Sequence, residues 1–221
     1  MPPMKAQHTE SVAERVLALL AKRYPHPETH LAHHNPWELL VATILAAQCT
    51  DERVNKVTPA LFARWPGPRE LAGAEPEEVE AYVRSTGFFR NKARNLVGAA
   101  RRIMERHGGE VPRTMEELTA LPGVARKTAN VVLFGGYGIN DGIAVDTHVG
   151  RIAFRLGLTD SRDPVRAERD LMALFPRREW GDLNHRLVWF GRHVCHARGP
   201  LCGECEMRPF CPQNGLEKQC I

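Results

Sequence analysis

An all-α protein built as two closely packed helical domains is what this sequence predicts, and three observations predict it. Apolar residues recur at helical spacing almost throughout, as at Val12, Val16, Leu19 and Leu20 and again at Leu96, Ala100 and Ile103. Proline and glycine breaks cut the chain into about ten helices of ordinary length. No tandem repeat, low-complexity segment or long flexible linker interrupts the pattern.

The breaks fall at Pro25-His26-Pro27, Trp65-Pro66-Gly67-Pro68, Gly108-Gly109, Pro122-Gly123 and Gly135-Gly136. Two apolar runs could be strands. Val131 to Phe134 continues a helical pattern from Thr128, and Ile143 to Val145 is too short to make a sheet alone. Both are therefore read as parts of a helical protein.

A chain of 221 residues can bury a substantial core. Its 43% hydrophobic and 25% charged residues are ordinary for a globular protein. No stretch approaches the roughly 18 apolar residues of a membrane span, so no membrane partner is expected. The opening MPPMKAQHTE lacks the apolar core of a signal peptide, which predicts that the chain stays in the compartment where it is made, the cytoplasm.

The net charge of +4 is small, but its distribution is uneven. Between Ala81 and Arg106 stand seven basic residues, Arg84, Arg90, Lys92, Arg94, Arg101, Arg102 and Arg106, against the single acid Glu105. Such a face could track phosphates, although a solvated helix face would look the same.

Four of the six cysteines crowd near the C-terminus, at Cys195, Cys202, Cys205 and Cys211, spaced C-x6-C-x2-C-x5-C. Gly199-Pro200 and Pro209 let the chain turn back between them. Metal ligation fits this pattern better than disulfides in a chain without an export signal. Four thiolates suit either Zn²⁺ or an iron–sulfur cluster, and ligand chemistry alone leaves both open. Only Cys202 and Cys205 form the knuckle typical of structural zinc. Cys49 and Cys220 are left over, the first as a core residue of an apolar helix.

Leu121-Pro122-Gly123-Val124-Ala125-Arg126-Lys127-Thr128-Ala129 reads as a helix end, a tight turn and a new helix. Backbone N–H groups at such a helix start suit a phosphate, with no sequence preference, although most such turns bind nothing. Lys127 falls in the first turn of the new helix. There the macrodipole and Arg126 both disfavour an ammonium ion, and a lysine must be neutral to attack carbon. Ala144-Val145-Asp146-Thr147-His148-Val149-Gly150-Arg151 reads as an apolar approach, an N-cap at Asp146 and a helix. Capping would itself explain the aspartate and is compatible with a catalytic role.

Taken together, Lys127 in LPGVARKTANVVL, Asp146 in AVDTHVGRI and the four-cysteine spacing resemble, in the same order, the endonuclease III family of DNA glycosylases. The resemblance extends from about Glu28 to Cys211 and takes in Leu45-Ala46-Ala47-Gln48-Cys49-Thr50-Asp51 and Thr86-Gly87-Phe88-Phe89-Arg90-Asn91-Lys92-Ala93. It implies a two-lobed helix-hairpin-helix glycosylase fold. Residues 29–139 would form a six-helix domain, residues 1–28 and 140–213 an iron–sulfur cluster domain, and residues 214–221 a tail. The active site would lie in the cleft between the lobes.

By the same resemblance, Lys127 is the nucleophile, Asp146 assists it, and the four cysteines hold a [4Fe-4S] cluster. Gln48 and Phe88 enter the DNA helix, while Gly123, Ala125, Arg126, Thr128, His148 and Arg198 contact DNA. The partner is double-stranded DNA carrying damaged bases, oxidised pyrimidines above all, or abasic sites, bound by a monomer. This chemistry is self-consistent. A damaged base must leave the stack before its glycosidic bond is reached, so an amide such as Gln48 and a wedge such as Phe88 fill the gap. Attack by Lys127 at C1′ expels the base and leaves a Schiff base, which permits β-elimination of the 3′ phosphate.

The sequence departs from the family at three places. Ala125 stands where a second hairpin glycine is usual, which raises the question of the φ needed there. Phe88 replaces an expected leucine. The loop from His196 to Leu201 carries Arg198 as its only Lys or Arg. Two other readings compete. A monofunctional relative would excise the base and stop, but such relatives lack the lysine. A helix-hairpin-helix DNA-binding protein with a structural cluster would lack the joint presence of Lys127 and Asp146.

Overall fold

Apolar residues on one stripe, capped at the right places, produce helices here and nothing else: among the described residues there is no strand. A computed structural model describes residues 4–216, so Cys220 lies outside the described residues. Among those residues are α1 (Met4–Arg23), α2 (Pro36–Leu45), α3 (Asp51–Arg64), α4 (Pro68–Ala72), α5 (Pro76–Val83), α6 (Phe89–His107), α7 (Met115–Thr119), α8 (Arg126–Tyr137), α9 (Thr147–Arg155), α10 (Pro164–Leu174) and α11 (Trp180–His193). Short 3₁₀ turns join some of them, including Arg84–Thr86 before α6 and Cys202–Glu204 after α11. None of the helices is long and apolar enough to cross a membrane.

Starts and stops follow local chemistry. Asn35 caps α2 by accepting the Glu38 N–H at 2.9 Å, with Pro36 at the first helical position. Thr50, Thr114 and Asp163 cap α3, α7 and α10 in the same way. Glycines in the left-handed region end α6 at Gly108 (φ 61°) and α8 at Gly138 (φ 67°).

The chain divides into two compact units, Thr29–Asp141 and the pair of segments Met1–Glu28 and Gly142–Ile221. In the first, α6 packs on α4 and α5 while α2 packs on α8. Leu96, Ala100 and Ile103 of α6 and Val132 and Leu133 of α8 sit in one buried cluster with Leu40, Val41 and Leu45 of α2. In the second, α9 and α11 pair and α1 and α10 pack beside them, so Val12, Val16 and Leu20 meet Ile152, Leu187 and Phe190.

One expected break is absent. Gly135-Gly136 does not end α8, which runs on to Tyr137. The reason is tertiary: a Cβ on Gly135 would lie 2.7 Å from Leu39 Cδ2, and one on Gly136 3.1 Å from Pro36 Cβ. These glycines are there to let α2 lie close on α8. The run Val131 to Phe134 is helical within α8, and Ile143 to Val145 is irregular chain between α8 and α9.

Candidate active site and nucleic-acid interface

The hairpin is built by Gly123. Val124 N–H closes a turn on Leu121 O at 3.2 Å, and Gly123 takes φ 78°, where an L side chain is strained. A Cβ there would also stand 2.8 Å from Asn95 Cβ, so glycine is required both by conformation and by α6 pressing from below. Ala125 is different. It is the N-cap of α8 at φ −91°, ψ 167°, an extended conformation open to any residue, so alanine sits here without strain.

Lys127 is exposed in the first turn of α8, beside exposed Arg126 and half-buried Thr128. The first N–H groups of a helix have no acceptor within it, and such a helix start suits an anion.

Asp146 is the N-cap of α9, as its sequence context predicts. Its Oδ1 accepts the backbone N–H groups of His148 and Val149, both at 2.8 Å. Its Oδ2 faces His148 Nδ1 at 3.5 Å. The side chains of Asp146 and His148 are 19% and 29% exposed, so each is sheltered yet reachable. Gly191 of α11 makes room for His148 and Arg151: a Cβ there would meet His148 Cδ2 at 2.8 Å and Arg151 Nη2 at 3.0 Å.

Gln48 and Phe88 are exposed, Phe88 by 64%, and both carry positive φ, 52° and 47°. For residues with a Cβ that region costs about 1–3 kcal/mol each and persists only where the surroundings impose it. Phe88 occupies the N-cap position of α6 without a side-chain cap bond.

Two residues of the basic run are engaged on carbonyls within the protein, which the charge pattern does not suggest. Lys92 is 4% exposed, and its Nζ donates to Leu45 O at 2.8 Å and Thr86 O at 2.7 Å. Arg101 donates to Ala72 O at 2.9 Å and Ala74 O at 3.1 Å, bracing the end of α4. Arg94, Arg102 and Arg106 remain exposed on α6. Neither Lys92 nor Arg101 betrays its carbonyl partners in sequence, since most lie far along the chain.

Cys195, Cys202, Cys205 and Cys211 line one cavity of about 410 Å³, counting its opening to solvent, together with apolar side chains such as Phe190, Leu201 and Met207. Burial pushes the Cys205 and Cys211 thiols up, Cys211 to about 11. Backbone N–H groups of Met207 and Arg208 act the opposite way on Cys205, and that of Gln213 on Cys211. Arg155 of α9 donates to Cys195 Sγ at 3.3 Å, to His196 O at 2.6 Å and to Ala197 O at 3.0 Å. Arg151, one turn earlier, reaches Cys195 O at 3.0 Å. Sequence reading missed both arginines. Their one legible signal is the i, i+4 spacing on α9.

No set of three His, Cys, Asp or Glu side chains among the described residues is placed to hold a metal ion. The thiols instead line a common cavity, with backbone N–H groups bonded to two of the sulfurs, a donor set suited to a thiolate-ligated metal centre. Arg198, in the loop between the first two cysteines, is exposed.

Residues 41–177 match the HhH-GPD superfamily of base excision DNA repair proteins. The chain is 56% identical over 200 residues to the endonuclease III of Synechocystis sp., covering 90% of this chain and 91% of that one. It is similar to a solved structure of a non-covalent endonuclease III–DNA complex, with a TM-score of 0.88 and 42% identity over 92% of this chain and 95% of that chain. A trapped endonuclease III–DNA covalent intermediate in an estranged-adenine complex is equally similar, at TM-score 0.88 and 42% identity over 92% of this chain and 96% of that one. The chain belongs to the endonuclease III family within that superfamily.

Proposed function

We propose that the protein is a bifunctional DNA N-glycosylase and AP lyase of base excision repair, acting on damaged bases, oxidised pyrimidines in particular, and on abasic sites in duplex DNA. The observation that carries this reading is an exposed lysine, Lys127, in the first turn of the helix after the hairpin. It is strengthened by likeness to a protein trapped covalently on DNA. Such an enzyme works where the chromosome is, in the cytoplasm and at the nucleoid of a prokaryotic cell.

The hairpin turn and the N–H groups opening α8 grip a phosphate, while Arg126 and exposed arginines of α6 add attraction that reads no sequence. Gln48 and Phe88 protrude to replace an extruded base, one by hydrogen bonding to the widowed partner and one by wedging the stack. Lys127 Nζ, as the free amine, attacks C1′ of the extruded nucleotide. The C1′–N bond breaks and the base leaves with its electron pair. Loss of a proton from nitrogen and ring opening give an imine at C1′. Removal of a C2′ proton then expels the 3′ phosphate, and water releases Lys127.

Asp146 serves the first step. Oδ1 is held by two N–H groups at the start of α9, which favours a carboxylate there, and that carboxylate would accept a proton or balance positive charge on the sugar. His148 beside it is suited to a DNA contact. Cys195, Cys202, Cys205 and Cys211 would hold a [4Fe-4S] cluster. When bound, the cluster would tie the C-terminal loop to α9 and α11 and provide a one-electron couple. Arg151 and Arg155 fasten the Cys195–Ala197 segment that leads into the loop of Arg198.

Borohydride reduction during turnover on a duplex containing thymine glycol tests the reading. A covalent protein–DNA adduct is expected with the native protein and none with Lys127→Ala, while Lys127→Gln still binds the duplex. Base release without adduct or strand cleavage would make the protein a monofunctional glycosylase. An adduct surviving Lys127→Ala would mean another nucleophile.

A further inference from the structure

Lys92 lies in the first turn of α6, where the helix dipole disfavours a cation, and it is buried, so helix propensity and solubility do not account for it. A methionine or leucine would fill the same space without losing hydration. What the ammonium adds is several donors on one atom. Two of them are used on carbonyls far apart in sequence, Leu45 O and Thr86 O, at 2.8 and 2.7 Å.

Those two carbonyls are not arbitrary. Leu45 is the last residue of α2, where helical carbonyls lack an intrahelical partner and carry the negative end of the dipole. Thr86 is the last residue of the 3₁₀ turn before α6. Gln48 follows the first by three residues and Phe88 follows the second by two. Each is exposed and each holds a positive φ that its own side chain does not favour. The Lys92 backbone N–H also bonds Phe88 O at 3.0 Å, closing the first turn of α6 on that residue. Burial pushes the Lys92 amine down.

We propose that Lys92 is a positioning residue for base extrusion, its ammonium clasping the segment that presents Gln48 to the segment that presents Phe88. This rests on the reading of those two side chains as the groups that enter the duplex. Two probes inserted at one lesion must keep a separation set by the base stack. A shared ammonium holds both segment starts within the reach of its own two bonds. Without it the loops would have to be ordered during binding, at the expense of extrusion.

Single-turnover excision on two substrates tests this: a lesion fully paired in a duplex, and the same lesion in an unpaired loop. Lys92→Met keeps an unbranched chain as far as Cε and removes the donors. The expected result is a paired rate that falls about tenfold more than the unpaired rate. Equal losses on both would make Lys92 a structural residue and overturn the proposal. Phe88→Ala and Gln48→Ala are run beside it. If they are selective for the paired lesion and Lys92→Met is not, the clasp fails alone; if they too lose equally on both, the reading of the protruding pair fails and takes the clasp with it. In the Phe88→Ala, Gln48→Ala background, Lys92→Met should cost little more, whereas additive loss overturns action through that pair. Should Lys92→Met not fold, Lys92→Gln retains donors for one carbonyl and should shift the paired-to-unpaired ratio the same way by a smaller factor. An unchanged ratio overturns the proposal.

Discussion

Asp146 divides its carboxylate at His148: Oδ1 takes the backbone N–H of that residue at 2.8 Å, and Oδ2 faces its ring Nδ1 at 3.5 Å. One oxygen holds the helix start and the other faces the imidazole. The two roles can be separated because asparagine keeps the acceptor and loses the charge.

Asp146→Asn is therefore expected to retain nearly all the folding stability, while Asp146→Ala loses about 1 kcal/mol of capping. Base excision by Asp146→Asn should nevertheless fall about 100-fold or more, the usual reach of proton transfer by a positioned group. Thermal unfolding and single-turnover excision measured on both variants check this. Excision undiminished in Asp146→Asn would leave the residue a cap and no more.

Gly123→Ala should cost about 1–2 kcal/mol from its left-handed backbone, and more from contact with Asn95, with weaker binding to any duplex. Trimming the neighbour should not rescue it. Asn95 Cβ itself stands 2.8 Å from the added methyl, so Asn95→Ala in the Gly123→Ala background is expected to leave the unfolding midpoint low. Recovery to the native midpoint would mean that neither the backbone strain nor the contact with Asn95 Cβ is felt. Ala125→Gly, by contrast, should not tighten DNA binding, since Ala125 is already unstrained at φ −91°.

Protein purified without oxygen is expected to be brown and to contain about four irons per chain. Stoichiometric zinc without iron would reject the cluster. Cys202→Ser should lose the iron and destabilise the unit containing α9 and α11. A readout independent of catalysis, protease cleavage between Cys195 and Cys211, should rise with it.

Affinity for undamaged duplex should fall steeply with salt, about tenfold or more between roughly 50 and 200 mM, because phosphate contacts release counterions. Arg94→Ala should reduce the slope of log affinity against log salt by about 1. A flat dependence would remove the basic face of α6 from the interface. Arg101→Ala should change the slope less and the stability more, its guanidinium being engaged on Ala72 O and Ala74 O.

Much of this protein is decided within short stretches of chain. The helical periodicity, the caps at Asn35, Thr50 and Asp146 and the Pro-Gly turn before Lys127 depend on neighbours a few residues away, and so they can be read from sequence. The four cysteine positions are local in the same sense, as their spacing alone brings them to one region. Where a residue's role depends on a partner far along the chain, its identity misleads. Gly135-Gly136 looks like a helix end and is a helix interior, because only the approach of Leu39 and Pro36 reveals why a side chain is unwelcome. Lys92 looks like one more cation of a basic face and is buried on Leu45 O and Thr86 O. Ala125 looks like a lost glycine and is an ordinary extended residue. Helix formation and capping are set by bonds spanning three or four residues, which the sequence by itself determines. Burial of an ammonium, close approach of two helices and the backbone angles of an exposed loop are set by packing between distant segments, which only the tertiary structure decides.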